Sequence, residues 1–448
     1  MKQKMKRAIS FIAMAVMLVS MFAVFVVPAT AEEDNYSTIL AEAYVVNPGW
    51  EGKVNGDPIS FDFQGKKVTA EEMPGHAKFN SAYHFDNYDD AYAQAQKDGV
   101  KNPVILLTAG TYTETINIKG AVRLLGANAG IDPNKKSNAE NIAWANKRSD
   151  LSKETVISCT IDVNVKTGAN DLVLDGLTFA NGGAFADYHR NSGASEITIK
   201  NTVFNKAGNE ATNYYALYLR SANHNRTLKL QNLYMTGQNN EGKVDGMYVG
   251  FICPYFAKLY ADNVAYVENK VGFLASTWFA AGVAPVIEVT NSCFYNANAG
   301  TPVGHVISMD NNATDYNAAI TADVAQRPTA TLKLEGNVFY NASATSSTKN
   351  ATVKGGVIHF QFVNSASVYS IQDNYFYGPD GTTFMDSEFL VNATMSDMSS
   401  CMAVRNNRFY GTYKVPSLVG SFHETYIDLT QNYFARTGGD VVTAVLYM

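Results

Sequence analysis

Two small groups of charged residues could carry out acid–base chemistry. A basic side chain can remove the proton beside a carboxylate when a cation or a second basic group neutralises the carboxylate charge. On a uronate polysaccharide, this proton removal leads to β-elimination. Solvated loop charges would have the same composition, so the catalytic residues stay unassigned. The candidates are Arg220, Lys243, Asp245 and Arg190, the last in an insertion that also contains Asp187 and His189.

Aromatic residues are densest between positions 214 and 279, where they could bind sugars. Sugar binding needs exposed rings that meet the apolar side of a pyranose, with polar groups beside them to hold the hydroxyls. Core packing would use the same residues, because aromatic residues are enriched in strands. The ligand-binding candidates are Tyr248, Tyr255 and Trp278.

The sequence contains no recognisable cofactor motif. Asp310, Asp315 and Asp323 could offer oxygen ligands, but they lack the spacing of an EF-hand loop. The four cysteines are too widely spaced for a zinc site and are either buried thiols or part of a bridge; they are Cys159, Cys253, Cys293 and Cys401. We therefore expect no cofactor and keep calcium as a candidate ion.

Composition favours an all-β protein and argues against nucleic acid as a partner. Hydrophobic residues make up 46% of the chain and charged residues 17%, which excludes a mainly disordered chain. The net charge is -6, from 35 basic and 41 acidic residues, so the chain lacks the excess of positive charge that would neutralise the phosphates of a nucleic acid. The 33 glycines, 26 tyrosines and 24 phenylalanines favour strands joined by many turns.

The first 31 residues have the pattern of an export signal. Basic residues within 2–7 precede an apolar run over 8–27, and Ala29 and Ala31 match the small-residue cleavage rule. An uncleaved membrane anchor is the alternative that the length of the run permits. We expect cleavage before Glu32, a mature chain without a membrane span, and a secreted or cell-surface location.

A segment of eight residues recurs nine times after position 170. Each copy alternates apolar and polar residues, places Asn, Gly, Asp or Gln at its fifth position, and ends in an aromatic residue or Met. The copies are LVLDGLTF (172–179), ITIKNTVF (197–204), LKLQNLYM (228–235), LYADNVAY (259–266), IEVTNSCF (287–294), LKLEGNVF (332–339), YSIQDNYF (369–376), MAVRNNRF (402–409) and IDLTQNYF (427–434). Their fifth residues lie 25 to 45 residues apart.

This pattern predicts stacked coils of a parallel β-helix, in which loops of variable length leave the core undisturbed. A residue that tolerates positive φ would turn the chain after each strand. Successive coils would stack about 4.8 Å apart, which lets the amide side chains of this residue hydrogen-bond to those of the coils above and below. The predicted structural ladder contains Asn201, Asn232, Asn263, Asn291, Asp373 and Asn406. The closing residues would form an internal column of Phe179, Phe204, Met235, Tyr266, Phe294, Phe339, Phe376, Phe409 and Phe434.

A second set of predicted strands has apolar residues at both odd and even positions, so apolar side chains would lie on both faces of the strand. Examples are YALYLR at 215–220 and GGVIHF at 355–360. Continuous apolar strands are usually covered on both faces. The cover would come either from loops of the chain itself or from a partner or ligand.

The segments that begin the mature chain resemble secreted bacterial right-handed parallel β-helix proteins of the pectate-lyase-like superfamily, including its adhesin-type members. The segments are YVVNPGWEGKVNGDPISF (44–61), FNSAYHFDNYDDAYAQAQKDG (79–99), NPVILLTAGTYTETINI (102–118), VRLLGANAGIDP (122–133) and ETVISCTIDV (154–163). The resemblance covers nearly the whole mature chain. It implies a right-handed β-helix over 102–448, after a signal peptide at 1–31 and an N-terminal segment with a capping helix at 32–101.

The resemblance identifies a fold far more than an activity. The catalytic motifs of polygalacturonases, pectin methylesterases and the main pectate lyases are missing from the sequence, so no catalytic residue is carried over. We therefore expect a structural, adhesive or self-assembling surface protein. Its partners would be an extracellular polysaccharide or other copies of itself, the latter through the apolar segment DVVTAVLYM (440–448). The alternative is a polysaccharide lyase with a diverged site.

Overall fold

A computed structural model describes the following residues: 36–68, 76, 78–136, 142–163, 171–187, 196–209, 216–219, 226–237, 251–252, 258–269, 273–275, 286–296, 298–299, 306–309, 331–344, 358–361, 368–378, 389–394, 401–412, 417–421, 426–438 and 444–447. The chain forms two compact units, 1–39 and 40–448, and in the first unit only 36–39 is described. The second unit contains every strand described below.

Helices are few among the described residues. They are α1 (Tyr36–Ala41), α2 (Tyr88–Lys97) and two single turns of 3-10 helix at Pro48–Trp50 and Leu151–Lys153. The strands before the first repeat copy are β1 (Tyr44–Val46), β2 (Asp62–Phe63), β3 (Lys66–Lys67), β4 (His84–Phe85), β5 (Val104–Leu107), β6 (Gly110–Tyr112), β7 (Ile116–Ile118), β8 (Val122–Leu125), β9 (Asn134–Lys136), β10 (Trp144–Asn146), β11 (Thr155–Ile157) and β12 (Thr160–Val163).

The repeat region continues with short strands that recur in the same order in each coil. They are β13 (Asp171–Asp175), β14 (Thr178–Ala180), β15 (Ala184–Asp187), β16 (Glu196–Asn205), β17 (Leu217–Leu219), β18 (Thr227–Thr236), β19 (Phe251–Ile252), β20 (Lys258–Val267), β21 (Leu274–Ala275), β22 (Val286–Thr290), β23 (Cys293–Tyr295), β24 (Asn298–Ala299), β25 (Ile307–Met309), β26 (Thr331–Glu335), β27 (Val338–Tyr340), β28 (Ser343–Ala344), β29 (Ile358–Gln361), β30 (Val368–Gln372), β31 (Tyr375–Gly378), β32 (Phe389–Thr394), β33 (Cys401–Arg405), β34 (Arg408–Thr412), β35 (Ser417–Ser421), β36 (Tyr426–Asp428), β37 (Tyr433–Gly438) and β38 (Ala444–Tyr447).

Two long parallel sheets make up the fold, as expected for a β-solenoid. Most coils contribute a first strand and a second strand to a sheet of 21 strands, and a third strand to a sheet of 11 strands. In β16, β18 and β20 the first and second strands form one continuous strand. Equivalent residues pair from coil to coil, for example Leu172 with Ile197 and then Ile197 with Leu228. The predicted all-β, parallel, coiled architecture is confirmed at this level.

The first corner of each coil lies where the sequence predicts a turn. All nine fifth residues have positive φ, from 49° at Asn201 to 76° at Gly176. Glycine and asparagine adopt this left-handed conformation at the lowest cost, which explains why they fill most of these positions.

A second corner follows five residues later and was not predicted. Its residues also have positive φ; they are Asn181, Lys206, Glu268, Asn296 and Asn341. Lys and Glu have no special preference for this conformation, so the sequence pattern at this corner is weak.

The predicted aromatic column forms the centre of the core from Phe179 to Phe409. Its last predicted member, Phe434, stacks on Phe409 at 4.9 Å but is 39% exposed, so the prediction of an internal position was wrong for this residue. Neighbouring rings lie nearly parallel with centroids 4.7 Å apart for Phe179 and Phe204, and 4.8 Å apart for Phe339 and Phe376. Tyr266 departs from this stacking, because its ring is tilted 55° to that of Phe294. Stacked aromatic pairs contribute about 0.5–1.5 kcal/mol each beyond the burial of their surface.

The N-terminal segment already joins the large sheet before residue 102. Strand β1 pairs in parallel with both β4 and β5. Helix α2 begins after Asn87, whose side chain accepts a hydrogen bond from the backbone NH of Asp90. Tyr88, Ala91 and Ala95 on its buried side belong to the same hydrophobic core as the strands.

Candidate functional site

The second strands of the coils present two outward columns of side chains. These columns arise because residues in a strand alternate in direction, so the residues on either side of each inward Phe point outward. In the early coils the outward residues include small or aliphatic residues that are buried, such as Val203 and Ala265, and one half-buried tyrosine, Tyr234. In the later coils they are mostly tyrosines. We call this later part the tyrosine face; it consists of Tyr295, Tyr340, Tyr375, Tyr377, Arg408, Tyr410 and Tyr433.

The antiparallel hairpin of β9 and β10 covers the early part of these columns. Trp144 on the hairpin packs in one cluster with Ala265, Val267 and Cys293. The cluster also contacts Tyr295, the first residue of the tyrosine face. The hairpin is therefore a segment of the chain that packs on this outer side of the sheet, next to the tyrosine face.

Polar contacts fix the hairpin segment to the first corner. Arg148 is buried and donates to the backbone carbonyl of Gly176 at 3.1 Å, and it pairs with the buried carboxylate of Glu154. Glu154 also accepts a hydrogen bond from Thr178 Oγ1 at 2.7 Å. Farther along, Asn134 Nδ2 donates to the carbonyl of Asn263 at 2.7 Å. An ion pair this buried is costly to break from one side, because the remaining charge is left uncompensated.

The tyrosine face itself is a column of stacked rings. Tyr295 and Tyr340 have centroids 4.7 Å apart and planes 10° apart, and Tyr340 and Tyr377 follow at 5.0 Å and 15°. Tyr410 continues the column at 5.8 Å from Tyr377. These four residues are half-buried, and burial raises the pKa of Tyr340, with smaller contributions from Tyr295 and Tyr377.

Two further tyrosines and one arginine widen the face beside this column. Tyr375 stacks on Tyr410 at 5.9 Å, and Tyr433 lies 6.1 Å from the same ring. Tyr433 is 55% exposed. Arg408 is exposed and lies in register between Tyr375 and Tyr433. The rings in the column cover each other's faces, so ring edges and hydroxyl groups are what the surface offers to a ligand.

Asparagines at the first corner bond to one another over three coils. Asn232 Nδ2 donates to Asn201 Oδ1 and Asn263 Nδ2 donates to Asn232 Oδ1, both at 2.8 Å. The pattern then changes, because the amide of Asn291 donates to the carboxylate of Asp262 rather than to Asn263. Later in the chain, Asn406 Nδ2 donates to Asp373.

A second amide column runs inside the later coils, one residue after the corner, and sequence reasoning missed it. Asn374 is buried, its Nδ2 donates to the carbonyl of Leu334 at 2.8 Å, and its Oδ1 accepts from the backbone NH of Asn337 at 3.0 Å. Asn337, Asn407 and Asn432 make the same contacts in their own coils. The signal was an Asn at the sixth position of the last four repeat copies.

Most of the predicted site residues lie outside the described part of the chain. This holds for the catalytic candidates Arg190, Arg220, Lys243 and Asp245 and for the ligand-binding candidates Tyr248, Tyr255 and Trp278. The signal segment, His189 and the calcium candidates Asp310, Asp315 and Asp323 also lie outside it.

Asp187 is the one described member of the charged groups. It forms an ion pair with Arg226 at 2.6 Å, and both side chains are fully buried. This pair is part of the interior and is closed to a substrate. The described thiols are also buried: Cys293 Sγ donates to the carbonyl of Ile142, and burial raises the pKa of Cys159 to about 11.

The outer side of the first strands carries charged groups on neighbouring coils. Tyr260 pairs in register with Glu288, and Glu288 with Lys333. Burial raises the pKa of Glu288; the charge of Lys333 opposes this shift and Glu335 adds to it. Lys333 lies 3.2 Å from Glu335. These residues could exchange protons with a ligand on this side of the sheet.

A buried histidine pair lies in the N-terminal segment. His84 Nε2 and His76 Nδ1 are 2.8 Å apart, and His84 Nδ1 accepts a hydrogen bond from the backbone NH of Asn80 at 2.8 Å. His76 is further bonded to the backbone of Leu40. Burial, with the neighbouring His76, lowers the pKa of His84 to about 4. Trp50 packs edge-on against the His84 ring at 5.3 Å.

The described residues contain no cluster of three or more His, Cys, Asp or Glu side chains that could bind a metal ion. Within the same part of the chain, no helix is both long and apolar enough to cross a membrane. Comparison with known proteins found no matching family model, no matching curated protein and no matching solved structure.

Proposed function

We propose that this protein is an exported right-handed parallel β-helix scaffold with a structural or adhesive role, and that it binds an extracellular polysaccharide along the tyrosine face. The observation that carries the proposal is the stacked column of Tyr295, Tyr340, Tyr377 and Tyr410 on an outer side of the sheet. Such a face repeats once per coil, which suits a ligand that is itself a repeating polymer.

The chemistry of the face favours a hydroxyl-rich ligand. Tyrosine offers an apolar ring edge and a hydroxyl that both donates and accepts hydrogen bonds. Arg408 adds a fork of donors between Tyr375 and Tyr433. The hairpin supports this proposal, since its Trp144 packs on the same side of the sheet in a cluster that includes Tyr234 and Tyr295.

Right-handed winding is supported by the strong general preference of parallel strand crossovers for that hand. A capping role for helix α2 is supported by the burial of Tyr88, Ala91 and Ala95 against the core. Export is supported by the signal pattern of residues 1–31, and the proposed membership of the pectate-lyase-like superfamily by the segments between 44 and 163. Self-assembly is a further part of the proposed role.

The test is binding of the purified protein to a panel of neutral and acidic polysaccharides by affinity electrophoresis. Replacing Tyr340 and Tyr377 together by Ala should weaken binding at least tenfold, because two adjacent members of the column are lost. The matched control is Val368→Ala, which changes an apolar side chain that is 40% exposed on the first strand of the same coil region. Equal loss in both variants, or no binding to any polysaccharide, would contradict the proposal.

A second candidate function is polysaccharide lysis, favoured by the Tyr260, Glu288 and Lys333 column. A half-buried carboxyl with a raised pKa beside a lysine is the kind of group that enzymes use for proton transfer. The measurement is ultraviolet absorbance of the unsaturated product during incubation with uronate polysaccharides, with and without calcium. Lysis that is lost in Lys333→Gln would support this candidate, and the absence of any absorbance rise would remove it.

A further inference from the structure

We propose that the column of Tyr295, Tyr340, Tyr377 and Tyr410 is a site of oxidative modification, in which neighbouring tyrosines become covalently joined as dityrosine. The link would form within one molecule, between successive coils. This inference concerns covalent chemistry of the rings and does not depend on the ligand proposed for the same face.

The first argument is ring geometry. Dityrosine forms when two phenoxyl rings meet and join through the carbons next to their hydroxyl groups. The rings of Tyr295 and Tyr340 are 4.7 Å apart and nearly parallel, and those of Tyr340 and Tyr377 are 5.0 Å apart. Adjacent rings in the column are therefore in contact before any movement of the backbone.

The second argument is access. The four tyrosines are half-buried, so their ring edges reach the surface while strand pairing holds their backbones. Tyr410 has three tyrosine neighbours within about 6 Å; these are Tyr375, Tyr377 and Tyr433. A radical that forms at one exposed ring thus always has a second tyrosine beside it.

The chemistry balances with hydrogen peroxide as the oxidant, acting through a haem peroxidase. Each of two phenol groups loses one electron and one proton, and the two phenoxyl radicals form one carbon–carbon bond. The two ring hydrogens displaced at that bond return to the phenol oxygens as the rings regain aromaticity. Peroxide accepts the two electrons and two protons and becomes two molecules of water. The protein loses the mass of two hydrogen atoms per link.

The structure offers internal controls for selectivity. Tyr44 and Tyr83 are 6.3 Å apart but tilted by 45°, and Tyr44 donates a hydrogen bond to Asp98. Tyr88 and Tyr92 are stacked at 5.9 Å, but Tyr88 is buried. Neither pair combines close stacking with access at both rings, so the column should react first.

The experiment treats the full chain, at a dilution that suppresses contact between molecules, with a haem peroxidase and limiting hydrogen peroxide. We expect a monomer that has lost the mass of two hydrogens, dityrosine fluorescence, and linked peptides that join column neighbours. Oxidation of methionine or tryptophan adds oxygen and is distinguished by its gain in mass.

Variants Tyr340→Phe and Tyr410→Phe, combined, leave no adjacent tyrosine pair in the column while keeping stacked rings. We expect this double variant to lose at least nine-tenths of the column links, and the control pair Tyr44→Phe and Tyr83→Phe to keep the wild-type yield. Unchanged circular dichroism verifies that both fold. Links that appear only between molecules, links distributed equally over the control pairs, or no loss of hydrogen would each overturn the proposal.

Discussion

Acidification should destabilise the N-terminal segment through the buried histidine pair. His84 Nδ1 accepts the Asn80 NH, so neutral His84 carries its proton on Nε2 and donates it to His76 Nδ1. A further proton on either ring would have to replace one of these accepted hydrogen bonds. The pair therefore resists protonation as long as the segment is folded.

The magnitude follows from the shift in the pKa of His84, which falls from 6.5 to about 4. In the unfolded chain the histidine binds a proton below pH 6.5, whereas in the folded chain it does so only below about 4. Between these values the unfolded state holds more protons, so stability rises with pH. One pKa unit corresponds to about 1.4 kcal/mol, which gives a loss of at most about 3 kcal/mol as pH falls through this window.

The assay is urea denaturation at several pH values across this window, followed by tryptophan emission. Trp50 contacts His84 and reports on this segment, and a Trp50→Phe variant identifies its share of the signal. The variant His84→Gln should be less stable at neutral pH but should lose most of the slope between pH 4 and 6.5. An unchanged slope in His84→Gln, or stability that falls as pH rises through this window, would refute the reasoning.

Three further predictions concern the elements that build the outer face and the core. Arg148→Ala should release the hairpin segment and lower the free energy of unfolding by about 3–5 kcal/mol, because Glu154 is left buried without its partner. Faster limited proteolysis near 131–153 would show the release. The control is Lys153→Ala, since Lys153 belongs to an exposed ion pair. Asn374→Ala should cost about 1–3 kcal/mol by leaving the Leu334 carbonyl and the Asn337 NH without their partner; a urea midpoint equal to that of the wild type would contradict it. Phe376→Ala should cost about 3–5 kcal/mol, since the ring is fully buried between two stacked neighbours, whereas Val368→Ala should change stability by less than about 0.5 kcal/mol.

The first corner of each coil was predictable because glycine and asparagine, which adopt positive φ at the lowest cost, fill most of its positions. Asn201, Asn232 and Gly336 are of the residue types that adopt positive φ most readily, and all three have it. The inner amide column could also have been predicted from the sequence, since Asn374 and Asn407 each come directly after the corner residue of their repeat copy. It was missed because an Asn beside a turn residue fits an ordinary turn just as well.

The tyrosine face was also encoded, since Tyr295, Tyr340, Tyr377 and Tyr410 each follow an inward Phe and must point outward. The higher local density of aromatic residues at positions 214–279 indicated a different binding site. The hairpin cover could not be predicted, because its contacts join residues such as Asn134 and Asn263 that are far apart in sequence. Nothing in a local pattern indicates which surface a long insertion will cover.

The direction of strand pairing has a mechanical consequence for a chain that works under tension. The strands run around the coils, so the backbone hydrogen bonds between coils point along the axis in which the coils are stacked. A pull applied at the two ends of the chain loads these bonds a few at a time, at whichever coil is outermost, rather than all at once. Each coil would then peel away as a separate event and dissipate work, while the coils behind it keep their structure.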